Sequence, residues 1–171
     1  MSVSVQEADF DAGAEIAGLS SGRDDVGAIA SFVGLVRADK MAQKAGAGGL
    51  CVPGLPLRGQ ATAAVAAMTL EHYPGMTEKA LEAIVAEASG RWNLLGVRVI
   101  HRVGRLLPGD RIVLVAVASA HRGEAFAACE FIMDYLKTRA PFWKKEETPE
   151  GGRWVDARES DDQAASRWGA D

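Results

Sequence analysis

Two β-branched runs, residues 97–103 and 111–118, stand on either side of Leu107-Pro108-Gly109-Asp110. Such a group supplies a fixed φ, a residue at ease with positive φ, and a carboxylate able to bond its own backbone. It therefore predicts a tight turn joining the two runs as a hairpin. Strands joined so briefly lie antiparallel, because a parallel pair needs a crossover of a dozen residues or more. A helical period follows at once, with Phe126, Cys129, Ile132, Met133 and Leu136 spaced along residues 123–138 and Pro141 ending it. Strand, turn, strand, helix is not the regular βαβ rhythm. The order predicts an α+β fold with a mixed or largely antiparallel sheet and two main helices.

The rest of the chain fits that frame. Residues 26–36 read as a strand closed by Arg37, and residues 63–70 as another that breaks at Pro74-Gly75. Between them, residues 38–62 are rich in Gly, Ala and Pro without a steady period, which predicts a long loop insertion. Thr77 reads as the cap of a helix reaching about residue 89, with Leu81, Ile84, Val85 and Ala88 on one face. The aromatic group Phe142-Trp143 after Pro141 predicts a packed, ordered loop. A short strand over 153–157 and a polar tail complete the chain. At 171 residues all of this fits one domain, residues 1–171.

Composition removes several function classes. A net charge of −4 argues against general affinity for nucleic acid or anionic membrane. No secretory signal and no run long enough for a membrane span is visible, and the expected location is the cytoplasm. Cys51 and Cys129, with His72, His101 and His121, show no metal-ligand spacing, so two reduced thiols and neither metal nor cofactor are expected. His72 and His101 read as a turn residue and a strand residue with structural roles. Gly46-Ala47-Gly48-Gly49 lacks the Lys-Ser/Thr of a phosphate-binding loop.

The residues able to carry chemistry gather near the second helix. His121 and Arg122 lie where a buried strand gives way to a helix, a place where free amides and the helix dipole favour anions. Two readings stand side by side: a phosphate or carboxylate site, or two solvated loop residues. Lys137 in the last turn is ordinarily a surface charge complementing the dipole. Lys144 and Lys145 follow in Ala140-Pro141-Phe142-Trp143-Lys144-Lys145-Glu146, where ordered aromatic surface beside several cations suits an amine for proton transfer. Glu146 either orients one of these amines or pairs with one at the surface. With Arg37 at a strand end, these residues make a candidate anion site.

Longer stretches of wording go further. LEHYPGMTEKAL (residues 70–81), IHRVG (100–104), SAHR (119–122) and FIMDYLKTRAPFWKKEETPEGGRWVDAR (131–158) resemble the catalytic, or large, subunit of molybdopterin synthases. The resemblance implies a hammerhead-like α/β fold and a sulfurtransferase. Such an enzyme converts cyclic pyranopterin monophosphate to molybdopterin, taking sulfur from the C-terminal Gly-Gly thiocarboxylate of a small ubiquitin-like carrier subunit. It also implies a homodimer of large subunits with a carrier at each end, a heterotetramer. This chain ends Trp168-Gly169-Ala170-Asp171, which fits the receiver of sulfur. By resemblance Lys137 and Lys144 are catalytic. Arg37, His121, Arg122, Lys145 and Glu146 bind substrate, Phe32 and Met133 line the pocket, and Arg158 reaches across the dimer. Leu35 departs from the family, which often has lysine there, and the 38–62 insertion is longer than usual. A different class of reading is a non-catalytic module that docks a ubiquitin-like Gly-Gly tail.

Overall fold

In the computed structural model, the described residues are 1–37, 66–148, 151–155 and 159–169. The strand order of the first sheet explains the sequence at its centre. β1 (Ser2–Gln6), β4 (Leu94–Arg102), β6 (Arg111–Ser119) and β2 (Ala28–Leu35) run in the order β1-β4-β6-β2, with β1 parallel to β4 and the other pairs antiparallel. β6 is interior, and both of its faces are covered. Residues 113–118, VLVAVA, are buried without a break, which is why the run is continuously apolar rather than alternating.

On one face lie α2 (Met76–Arg91) and α3 (Arg122–Arg139), the two main helices. Leu81, Ile84, Val85, Ala128, Phe131 and Ile132 meet Val97, Val99, Val115 and Val117 there. On the other face α1 (Ala12–Ser20) lays Ile16 and Leu19 against Ile100, Leu114 and Ala116. Burial of this apolar surface, at about 25 cal/mol per Å², is the main force assembling the layers. Neither β1 nor α1 follows from the sequence reading. β1 is five residues at a sheet edge, and α1 has no buried residue, so neither shows a strong period.

The second sheet, order β5-β3-β7-β8, is antiparallel throughout. It joins β5 (Gly104–Leu106), β3 (Ala67–His72), β7 (Phe142–Thr148) and β8 (Gly151–Val155). The structure revises the expected hairpin here. β4 and β6 are antiparallel neighbours, but the chain between them first gives β5 to the other sheet. The turn then returns it, with the Leu107 amide donating to Asp110 Oδ2 (2.8 Å) and Gly109 at φ 93°. That turn is tied to the end of β2, since Gly109 N donates to Val36 O and Val36 N to Asp110 O.

Three further expectations are corrected. Residues 142–148 are a strand and not a loop, because backbone pairing with β3 and β8 on either side satisfies them in extended form. Thr77 is not the helix cap. Gly75 (φ 80°) holds that position, its amide donating to Glu78 Oε2 at 2.6 Å, while Thr77 lies fully buried in the first turn. The polar tail contains α4 (Glu159–Ser166), after which Trp168 folds onto α3. Its Nε1 donates to Asp134 (2.8 Å) and its ring meets Trp92 and Phe131 edge-on. The 38–62 insertion lies outside the described residues. Among those described, no helix is long and apolar enough to cross a membrane.

Candidate functional site

α3 links two places where cations collect. At its N-terminus β6 ends in the buried Ser119, and the chain passes through Ala120 and His121 into the helix. This junction is held very close to the start of β2. Gly27 N donates to Ser119 O, and a Cβ on Gly27 would meet Ala120 O at 2.2 Å, so only glycine fits there. His121 takes the N-cap position in extended conformation without using its side chain as the cap. The imidazole of His121 and the guanidinium of Arg122 are exposed. Glu124 in the first turn complements the dipole and lies 2.7 Å from Ser119 Oγ.

Phe32 and Met133 flank the same layer. Strand alternation puts Phe32 on the face of β2 that carries Ala30 toward the helices, with its ring over Gly34. It is 41% exposed, while Met133 on α3 is buried. Two residues past Leu35, Arg37 is exposed at the strand end. Val36 just before it is buried with Met68, Leu70 and Leu106 of the second sheet.

The C-terminal end of α3 carries Lys137, exposed in the last turn. The helix stops at Ala140, and β7 begins two residues later. In the β3–β7 register Lys144 opposes Leu70 and Glu146 opposes Met68. Cross-strand partners share a face. Lys144 and the buried Glu146 therefore lie on the side that meets Val36, just before Arg37. Lys145 points the other way, its ammonium 5.7 Å from the Trp154 ring centroid beside its register partner. The structure thus brings Lys144, Glu146 and the Arg37 strand end to one side and parts Lys145 from them. Arg158 lies outside the described residues.

Other candidates resolve simply. The Cys129 thiol is buried against Val115 and pushed up to about 11 by that burial, so it is a packed side chain and no nucleophile. Cys51 lies outside the described residues. Among those described, no three His, Cys, Asp or Glu gather in a metal-holding set. A groove of about 760 Å³ runs between β1 and α2, lined by Met1, Val3, Glu82 and Val85. It is distant in sequence and chemistry from the lysines, and with a carboxylate and apolar walls it does not suit an anion, so charge rather than hollow size marks the site.

Sequence reasoning did not foresee how the α3–β7 break is held. Thr77 Oγ1 donates to Pro141 O, and His101 stacks on Phe142 with ring centroids 3.7 Å apart. His101 is almost wholly buried and its pKa falls to about 4, first through burial and then through the nearby charge of His72. Its Nδ1 lies 2.8 Å from Arg102 O, which fixes the neutral tautomer with the proton on that nitrogen. The hint in the sequence was a threonine one turn below Tyr73-Pro74 and a histidine inside an apolar strand, and both have ordinary structural uses.

The α+β fold, the cations at both ends of α3 and the lysine-bearing strand that follows it define a candidate anion-handling protein. The family model described as MoaE protein matches residues 5–139. The molybdopterin synthase catalytic subunit of Ralstonia nicotianae is 59% identical over 167 residues, covering 98% of this chain and 84% of the relative. That of Escherichia coli is 57% identical over 146 residues, covering 85% and 84%. The solved structure of a Burkholderia ambifaria molybdopterin biosynthesis MoaE protein superposes with a TM-score of 0.74 at 53% identity, covering 99% of both chains. The chain belongs to the MoaE family of molybdopterin synthase catalytic subunits.

Proposed function

We propose that this chain receives sulfur from the C-terminal thiocarboxylate of a small ubiquitin-like carrier and installs it on cyclic pyranopterin monophosphate, yielding the dithiolene of molybdopterin. The observation that carries the reading is the match of nearly the whole chain to catalytic subunits, with Lys137 and Lys144 both inside the matched span. The word subunit in the relatives' names supports a second component, and we assign that place to the carrier. The working assembly is a homodimer with a carrier at each end, acting in the cytoplasm, where a thiol such as Cys129 stays reduced.

The chemistry explains the cations. Substrate phosphate and carrier thiocarboxylate are both anions, and they repel each other unless positive charge separates them. Arg122 and His121, at a helix N-terminus, hold the phosphate with charge-assisted bonds. Arg37 adds a guanidinium from the end of β2, and Phe32 and Met133 bound the apolar side. Lys137 moves protons as each thiocarboxylate sulfur forms its bond to a side-chain carbon of the pterin and the C–O bond at that carbon breaks, and Lys144, oriented by Glu146, assists the opening of the cyclic phosphate. Water supplies the oxygen that leaves the carrier tail as a carboxylate. Lys145 takes part through the field of its charge, since its side chain lies on the other face of β7.

The test is a reconstituted assay with thiocarboxylated carrier and cyclic pyranopterin monophosphate, comparing the unmodified chain with Lys137→Ala. Dithiolene product from the unmodified chain alone is the expected result. Tight carrier binding without product would turn the reading to a docking module for a Gly-Gly tail.

A further inference from the structure

The two lysines of the proposed site sit on different elements, with the Ala140-Pro141-Phe142 break between them. α3 positions Lys137 and β7 positions Lys144, so their separation depends on how that break is fixed. Proline cannot donate a backbone bond, and a Phe142 N to Ala140 O contact (2.9 Å) is a local tie across it. The remaining constraint comes from elsewhere in the fold. The Thr77 side chain is fully buried in the first turn of α2, 64 residues away in sequence. Its hydroxyl accepts from Tyr73 N (3.2 Å) and donates to Pro141 O (3.2 Å), using both of its functions at once. Tyr73 O in turn accepts from Thr77 N at 3.0 Å, so the hydroxyl is anchored on a turn that is itself closed. The flat His101–Phe142 stack then clamps the next residue, whose register partner is His72.

We propose that Thr77 is a positioning residue for sulfur transfer: its hydroxyl fixes the α3–β7 break and thereby the placement of Lys144 relative to Lys137. This rests on the catalytic reading of those two lysines. Thr77 touches no reactant and acts only through the Pro141 carbonyl. Thr77 bonds the Tyr73 and Pro141 backbone and not the His121–Arg122 junction, so the effect is expected on the chemical step rather than on phosphate binding.

The experiment compares Thr77→Val and Thr77→Ser with the unmodified chain and Lys137→Ala in the reconstituted transfer assay. Valine keeps the shape but leaves a part-buried carbonyl and amide without the hydroxyl, while serine keeps it. We expect Thr77→Val to lower kcat on the order of tenfold or more, the scale set by ångström-level misplacement. KM for the pterin and carrier affinity should stay within roughly twofold, which marks an interaction felt in the chemical step. Thr77→Ser should restore most of the rate. Unchanged kcat in Thr77→Val beside an inactive Lys137→Ala overturns the positioning role alone. Loss of kcat, substrate affinity and thermal stability together, with no rescue by serine, also overturns it, because that is the pattern of a purely structural residue. Normal turnover by Lys137→Ala removes the lysine reading itself and the inference with it.

Discussion

The two ends of α3 are built in opposite ways. At the N-terminus Gly27 lets two chain segments nearly touch and the Ser119 hydroxyl ties Asn93 O to Glu124, while the His121 and Arg122 side chains are left exposed. At the C-terminus the work is done by buried side chains: Thr77 bonds Pro141, His101 stacks on Phe142, and Glu146 lies inside. An end that recognises a diffusing anion needs charged groups accessible to solvent, whereas an end that sets the spacing of two amines needs its backbone immobilised. The contrast is one of recognition against alignment, and it can be broken at either end.

The largest effect is expected at the alignment end. Lys137→Ala should abolish transfer while carrier binding and dimerisation, followed by titration calorimetry and light scattering, stay near normal. Next comes pH. The folded pKa of His101, about 4, lies below the unfolded value near 6.5, so the unfolded chain binds the extra proton between these values. Stability is therefore complete above about pH 6.5 and is lost as pH falls toward 4, by up to roughly 3 kcal/mol. Urea unfolding across that range should show the loss, and His101→Phe should flatten it. A slope unchanged in that variant would move the effect to another group.

At the recognition end, Gly27→Ala should cost about 2 kcal/mol and lower Tm, since the new methyl meets a backbone carbonyl that cannot swing aside. A Tm equal to that of the unmodified chain would mean the junction yields more easily than its packing suggests. Smallest in free energy is Arg122→Ala, expected to raise KM about tenfold, roughly 1.4 kcal/mol, with little change in kcat or Tm. An effect on kcat alone would move Arg122 from recognition to alignment.

The sequence displayed the recognition end more clearly than the alignment end. A buried strand running into a periodic helix is legible because β6 and α3 carry long apolar patterns, and the His-Arg pair sits visibly between them. β7 is harder to see. FWKKEET mixes charges with aromatics because one of its faces packs while the other meets solvent, and its strand identity comes from partners distant in sequence. Thr77 looked like a cap because threonine often is one, and only the folded chain places Pro141 within its reach. Lys144 owed its proposed role to family wording rather than periodicity. β1 and α1 escaped notice since short, small-residue elements gain their order from the sheet they cover.

β5 has a consequence for how the molecule comes together. Three residues carry the chain from one sheet to the other and back between two adjacent central strands. Once β4 and β6 have found each other, β5 is already delivered as the edge on which β3 registers through Leu70–Gly104 and Met68–Leu106. The long closure between residue 68 and residue 106 is then no longer a search through open chain. The lysine strand, which pairs with β3 in turn, inherits its alignment from the rigid centre of the protein.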